Sequence, residues 1–213
     1  MTWSNPFVYF ASLAKTACAQ DDVALTRLAG DLKSVKTTPA FSYIVASPCH
    51  DGNPQPCVAG AQPGLKATDR FLRGVVPEIL ASPAYEADGL IAITFDEAPQ
   101  SGPYADSSSC CANPTQYPNL TPTTTTPTTT TPTVTTPASE QTGQTTPTGG
   151  GGQVGMLLIS QYVKPNSTDA LDYFNHCSFL SSVEQLFGLK RLGYARDAAL
   201  PGFGKPQYNN YKG

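Results

Sequence analysis

Three short, unbroken apolar runs punctuate the chain: Phe41-Ser42-Tyr43-Ile44-Val45-Ala46, Gly89-Leu90-Ile91-Ala92-Ile93-Thr94-Phe95 and Val154-Gly155-Met156-Leu157-Leu158-Ile159-Ser160. Continuous apolar stretches of this length predict strands buried on both faces, as in a sheet covered by helices. Around them the apolar positions recur at helical spacing. Asp22 to Val35 carries Val23, Leu25, Leu28 and Leu32; Lys66 to Leu80 carries Phe71, Leu72, Val75, Val76 and Ile79; Ser178 to Phe187 carries Leu180, Val183, Leu186 and Phe187. Pro77 should kink or end the second helix, and Gly188 is placed to cap the third. Helices alternating with buried strands predict an α/β layered fold.

The pattern breaks after Asn119. Thr121 to Thr136 is almost wholly Thr and Pro, and the polar stretch that follows ends in Gly149-Gly150-Gly151-Gly152. Such a segment cannot bury enough apolar surface to offset chain entropy, so disorder is expected. Apolar runs on both sides read as parts of one sheet. The predicted organisation is therefore a first segment at 1–118, a disordered Thr/Pro/Gly-rich insertion at 119–152 and a second segment of the same domain at 153–213. Long surface insertions cost little in stability.

Composition narrows the function classes. Of 213 residues, 14% are charged, against about 25% in an ordinary soluble domain. The formal net charge is −3, and Lys and Arg do not cluster, which argues against nucleic acid as a partner. No apolar run approaches the roughly 18 residues that would span a bilayer. Met1-Thr2-Trp3-Ser4-Asn5-Pro6 does not read as a secretory signal. The six cysteines point instead to an oxidising destination. Cys49 and Cys57 bracket a short Pro- and Gly-bearing loop of the kind a disulfide closes, and no paired Cys-x-x-Cys spacing suggests structural zinc. The disagreement between cysteines and leader leads to the expectation that Met1 is not the natural amino terminus.

Polar residues with catalytic potential follow the apolar runs. His50-Asp51-Gly52-Asn53 comes after the first run, Asp96-Glu97 directly after the second, and Tyr173-Phe174-Asn175-His176 just ahead of the last helix. Ligands in open α/β sheets gather outside the carboxyl ends of strands. Carboxylates and imidazoles at such an edge suit zinc, manganese or iron, and an all-oxygen set suits calcium or magnesium. Each feature has a plainer alternative: Asp-Glu as a solvated turn, Asp51-Gly52 as turn chemistry, His176 as a helix cap or a partner of a backbone carbonyl.

Several motifs in order resemble the bacterial phosphoesterase family of phospholipase C-like enzymes and certain acid phosphatases, within the alkaline phosphatase superfamily. They are Asn5-Pro6-Phe7-Val8-Tyr9-Phe10, Pro48-Cys49-His50-Asp51-Gly52, Ala67–Tyr85, Thr94-Phe95-Asp96-Glu97 within Gly89–Ala98, Ser107-Ser108-Ser109-Cys110-Cys111, and Tyr173–Gly193 with its Asn-His-x-Ser. The resemblance implies an alkaline phosphatase-like fold with a mostly parallel central sheet flanked by helices. It also implies a divalent metal, its identity open, that activates a Ser or Thr nucleophile toward phosphorus. Asp51, Asp96 and Glu97 would be metal-site residues, and His176 would bind metal or contact the phosphate. His50 and Asn53 would support them. The implied substrate is a phosphorylated small molecule or a phospholipid, and the implied location is secreted or cell-envelope.

Two departures qualify the match. Asn53 stands where the family has a histidine, and no Glu-Asn metal motif occurs in the sequence. The chain thus reads as the carboxyl-terminal portion of a longer hydrolase, truncated at its amino terminus, with the missing amino-terminal half as a partner. The alternatives are a non-catalytic phospho-ligand-binding descendant and a surface glycoprotein whose working part is the Thr/Pro tract. Asn119-Leu120-Thr121 and Asn166-Ser167-Thr168 are acceptor triplets for the latter.

Overall fold

A computed structural model describes residues 5–99, 101–108, 151–169, 174–197, 200–204 and 207–208. The chain divides into two compact units, Met1–Gly89 and Leu90–Gly213. The Thr/Pro tract and nearly all of the 119–152 insertion lie outside the described residues; Gly151 and Gly152 are within them.

In the first unit, Pro6–Tyr9 forms a 3-10 turn begun by Asn5, whose side chain accepts from the Phe7 amide at 3.0 Å. Phe7, Tyr9 and Phe10 are exposed, so this apolar start is not core, although Phe7 meets Tyr43 edge-on at 6.1 Å. Short helices follow at Ala11–Ala14 (α1), Ala17–Asp21 (α2) and Leu28–Asp31 (α3). The helix expected over 22–35 is thus reduced to a 3-10 turn at Leu25–Arg27 and the single turn of α3. Competing hydrogen bonds explain the stop: the hydroxyls of Thr37 and Thr38 each donate to the Asp31 carbonyl at 2.9 Å, offering the backbone a non-helical partner.

The segment 41–46 is not a strand, and Phe41, Tyr43 and Val45 are each more than two-fifths exposed. Extended backbone needs a neighbour to complete its hydrogen bonds, and among the described residues the named strands pair only with each other. Helix α4 spans Leu65–Leu80. It runs through Pro77 for three further residues instead of ending there, because the lost amide costs one bond near an end that is already open. Helix α5, Pro83–Asp88, starts on Ser82, whose hydroxyl accepts from the Tyr85 amide at 3.2 Å, with Pro83 at the first helical position.

The second unit is built on two strands, β1 (Ile91–Thr94) and β2 (Met156–Ile159). They pair antiparallel, Ile91 opposite Ile159 and Thr94 opposite Met156. The apolar runs on either side of the insertion are therefore hydrogen-bonded neighbours, and this pair runs antiparallel, not parallel.

Helix α6 spans His176–Leu186, beginning two residues before the expected start. Its end is a Schellman motif. The Gly188 amide donates to Gln185 and the Leu189 amide to Glu184, with Gly188 at φ +63°. The buried face of α6 differs from the apolar stripe. Leu180, Leu186 and Phe187 are exposed, while Ser178, Ser181, Ser182 and Glu184 are buried. Ser182 and one oxygen of Glu184 have partners among the described residues. The Ser182 hydroxyl donates to the Ser178 carbonyl at 2.8 Å and accepts from the Phe203 amide at 2.9 Å. One Glu184 oxygen accepts from the Leu192 amide at 3.0 Å. Phe203 closes this small core against Phe174 and Phe179, with centroids 5.2 and 6.0 Å away.

Candidate functional site

Strand β1 delivers Asp96 and Glu97 into an exposed turn just past its end. Thr94 ties that end to the neighbouring segment, its hydroxyl donating to the Gly155 carbonyl at 3.0 Å. Asp96 Oδ1 accepts from the Glu97 amide at 3.0 Å. That bond fixes the Asp96 side chain locally and leaves Oδ2 and the Glu97 carboxylate turned to solvent. The turn closes where the buried Ala98 donates its amide to the Gly151 carbonyl at 2.6 Å.

His176 reaches the same turn from α6, where it is the first helical residue. Asn175 caps the helix: its Oδ1 accepts from the Ser178 amide at 2.9 Å, and its own amide donates to the Ser178 hydroxyl at 3.2 Å. This reciprocal pair satisfies two otherwise orphaned donors and fixes the origin of the His176 side chain. His176 Nε2 then lies 2.8 Å from the main-chain carbonyl oxygen of Asp96. The structure thus brings Asp96, Glu97 and His176 together, although the direct link is to the backbone of Asp96 and not to its carboxylate.

Asp106, which the sequence reading did not select, organises the base of the insertion. Its Oδ1 accepts from the Ser108 amide and its Oδ2 from the Gln153 amide, both at 2.8 Å. Burial pushes this carboxyl up, but the bonds from the Ser108 side chain and the Ser108 and Gln153 amides outweigh it and hold the group below its ordinary value. Gly152 donates to the Ser108 carbonyl at 3.0 Å, so residues 106–108 and 151–153 are clasped together. Gly151 packs on the acidic turn: a Cβ there would stand 3.3 Å from the Glu97 Cβ and 3.6 Å from the Asp96 carbonyl oxygen. The signal for Asp106 was local, an Asp two residues before a Ser in a loop, which is Asx-turn chemistry.

In the first unit, Cys49 and Cys57 form a disulfide across the loop that carries the other candidates. Asp51 Oδ1 accepts from the Asn53 amide at 2.9 Å, Gly52 takes φ +94°, and Asn53 Oδ1 accepts from the Gln55 amide at 2.9 Å. These are two successive Asx turns. His50 is held by a 2.9 Å hydrogen bond between Nδ1 and the Ser47 hydroxyl, and its ring stacks on Phe71 of α4 at 5.5 Å. Cys18 and Cys177 are free thiols, and burial pushes the Cys177 thiol up.

Among the described residues, no three His, Cys, Asp or Glu side chains form a group able to hold a metal ion. At the turn after β1 the described donors are the Asp96 and Glu97 carboxylates and the His176 ring. Their chemistry suits a divalent cation, but they stop short of a closed cage. No helix among the described residues is long and apolar enough to cross a membrane. No curated protein and no solved structure matches the chain. A family model does: the Phosphoesterase family, over residues 4–190.

Proposed function

The chain belongs to the phosphoesterase family, and on that premise we propose that it serves phosphoester hydrolysis at a divalent-metal site formed around Asp96 and Glu97. The observation that supports this reading is the convergence of Asp96, Glu97 and His176 at the end of β1, with His176 bonded to the Asp96 carbonyl. The finer placement is with phospholipase C-like enzymes and acid phosphatases of the alkaline phosphatase superfamily, in a layered α/β fold with a mostly parallel sheet.

When bound, the cation would polarise phosphoryl oxygens and offset charge that develops on them. Asp96 and Glu97 supply hard oxygen donors for it. His176 is placed to bind the cation or contact the phosphate. His50 and Asn53 support the loop that presents Asp51. Among the described residues this donor set is partial. The substrate is a phosphomonoester or phosphodiester, a phospholipid headgroup included, and the setting is extracellular or cell-envelope.

Calorimetric titration of Mn²⁺ or Zn²⁺ tests the site directly. Asp96→Asn and Glu97→Gln should each weaken binding by about tenfold or more, as loss of one charged donor costs at least ~1.4 kcal/mol. Unchanged affinity removes the assignment. Release of nitrophenol from nitrophenyl phosphate by the chain alone should be slight, and release that survives Asp96→Asn would place the chemistry elsewhere. Asn53 favours one second reading, binding of a phosphorylated ligand without turnover. Metal-dependent turnover decides against it.

A further inference from the structure

The end of α6 and the loop after it turn their leucines outward. Leu186, Leu189 and Leu192 stand at three-residue intervals and are 61%, 60% and 60% exposed. What faces inward is polar or small. Glu184 is buried and takes the Leu192 amide at 3.0 Å, and Ala195 is buried as well. Main-chain bonds hold the loop in this sense. The Gly188 and Leu189 amides complete the Schellman turn, the Ala195 amide donates to the Leu192 carbonyl at 2.9 Å, and Arg196 Nε donates to the Arg191 carbonyl at 2.8 Å. The leucines thus keep apolar surface in water that a partner could remove.

Lys190, Arg191 and Arg196 are interleaved with them and exposed. None of the three has a carboxylate partner among the described residues. The carboxylates between Cys177 and Asp197 are Glu184, which is buried, and Asp197 itself, which is half-buried. A chain of net charge −3 therefore carries one local face that is both apolar and cationic.

We infer that residues 186–196 dock the protein on an anionic lipid bilayer, the leucines entering the acyl boundary and the cations lying among the headgroups. Interleaved apolar and basic side chains match an interface that is apolar within and negative at its surface. Three cations are few for a nucleic-acid surface, and exposed leucines have no role there. Each cation near an anionic bilayer contributes roughly fivefold in affinity, and the leucines supply the part that salt does not screen. Arg191, Leu192 and Arg196 lie past residue 190, where the family match ends, and the docking does not depend on the metal site proposed above.

Co-sedimentation of the whole chain with vesicles tests this, in EDTA so that no metal contributes. The chain should sediment with vesicles of phosphatidylcholine mixed with phosphatidylserine, release as salt rises, and bind phosphatidylcholine alone at least about tenfold more weakly. Lys190→Gln with Arg191→Gln leaves the main-chain bond to Arg196 intact and should weaken binding on the order of twentyfold. Leu189→Ser with Leu192→Ser should weaken it by about tenfold or more. Its thermal midpoint should match the parent's, because both side chains are already exposed. Absence of sedimentation with the mixed vesicles overturns the inference. So does binding that the serine pair leaves unchanged, which is charge attraction alone. Self-association without lipid that the serine pair abolishes would make this face an interface between copies, and that result also overturns it.

Discussion

The Nε2 nitrogen of His176 and the main-chain carbonyl of Asp96 are hydrogen-bonded at 2.8 Å across 80 residues of sequence. That bond joins the start of α6 to the end of β1, so anything that frays the helix start should loosen the histidine. Asn175→Ala removes the cap and should cost about 1 kcal/mol in urea unfolding, with the His176 ring signals averaging toward their urea values. Asn175→Asp keeps the capping oxygen and should keep both. Loss of stability with an unmoved ring would separate the cap from the site.

Gly152 is needed for a different reason. Its φ of +74° is one that side chains resist, and a Cβ there would run into the Asp106 carbonyl and stand 2.8 Å from the Ala98 Cβ. Strain and overpacking together put Gly152→Ala at roughly 2–4 kcal/mol of destabilisation. Gly155 has nothing within 4 Å of the same atom, so Gly155→Ala should be near neutral. Equal unfolding midpoints for the two variants would show that the clasp at 151–153 does not form.

Asp106 makes the stability of the second unit depend on pH. Its carboxyl is held below the ordinary range in the folded chain, so its contribution is fully present above about pH 4, the unfolded value. It is lost as pH falls through the lower folded value. Asp106→Asn should cost roughly 1–2 kcal/mol at neutral pH through the lost charge-assisted bonds, and the gap to the parent chain should close in acid. A gap that stays constant from neutral pH into strong acid rules the contribution out.

The Cys49–Cys57 bond closes a loop with a sequence separation of 8. Chain-entropy arguments put the benefit of such a closure at about 2–3 kcal/mol. The double substitution Cys49→Ala with Cys57→Ala should lower the stability of the first unit by up to that amount and speed proteolysis around Asp51. An unchanged cleavage rate would mean that the Asx turns at Asp51 and Asn53 hold the loop unaided.

The features that were legible in the sequence are those decided by local physics. The apolar stripe from Phe71 to Ile79 forms a helix because its residues share one face at 3.6-residue spacing. Gly188 ends α6 because the left-handed cap favours a residue without a Cβ. The runs around Ile91 and Leu158 are strands because each is short, apolar and bounded by turn residues. The same local signals put Asp96 and Glu97 just past a strand and His176 beside a helix start.

What only tertiary structure decided are the relationships between distant segments. The direction in which β1 meets β2 depends on a connection whose length permits either sense. The run from Phe41 to Ala46 has the composition of a strand and is not one, because a strand exists only with a hydrogen-bonding neighbour. Helix α6 buries Ser178, Ser182 and Glu184 and exposes Leu180 and Leu186. The amides of Phe203 and Leu192 need those polar partners, and hydrophobic periodicity counts apolar positions without registering that need. Asp106 escaped notice for the same reason, since its second oxygen is matched to an amide 47 residues away. Sequence alone determined which segments could form elements and which residues could act; cross-chain hydrogen bonds, whose partners local patterns do not specify, decided how those elements met and which nitrogen of His176 faces the Asp96 carbonyl.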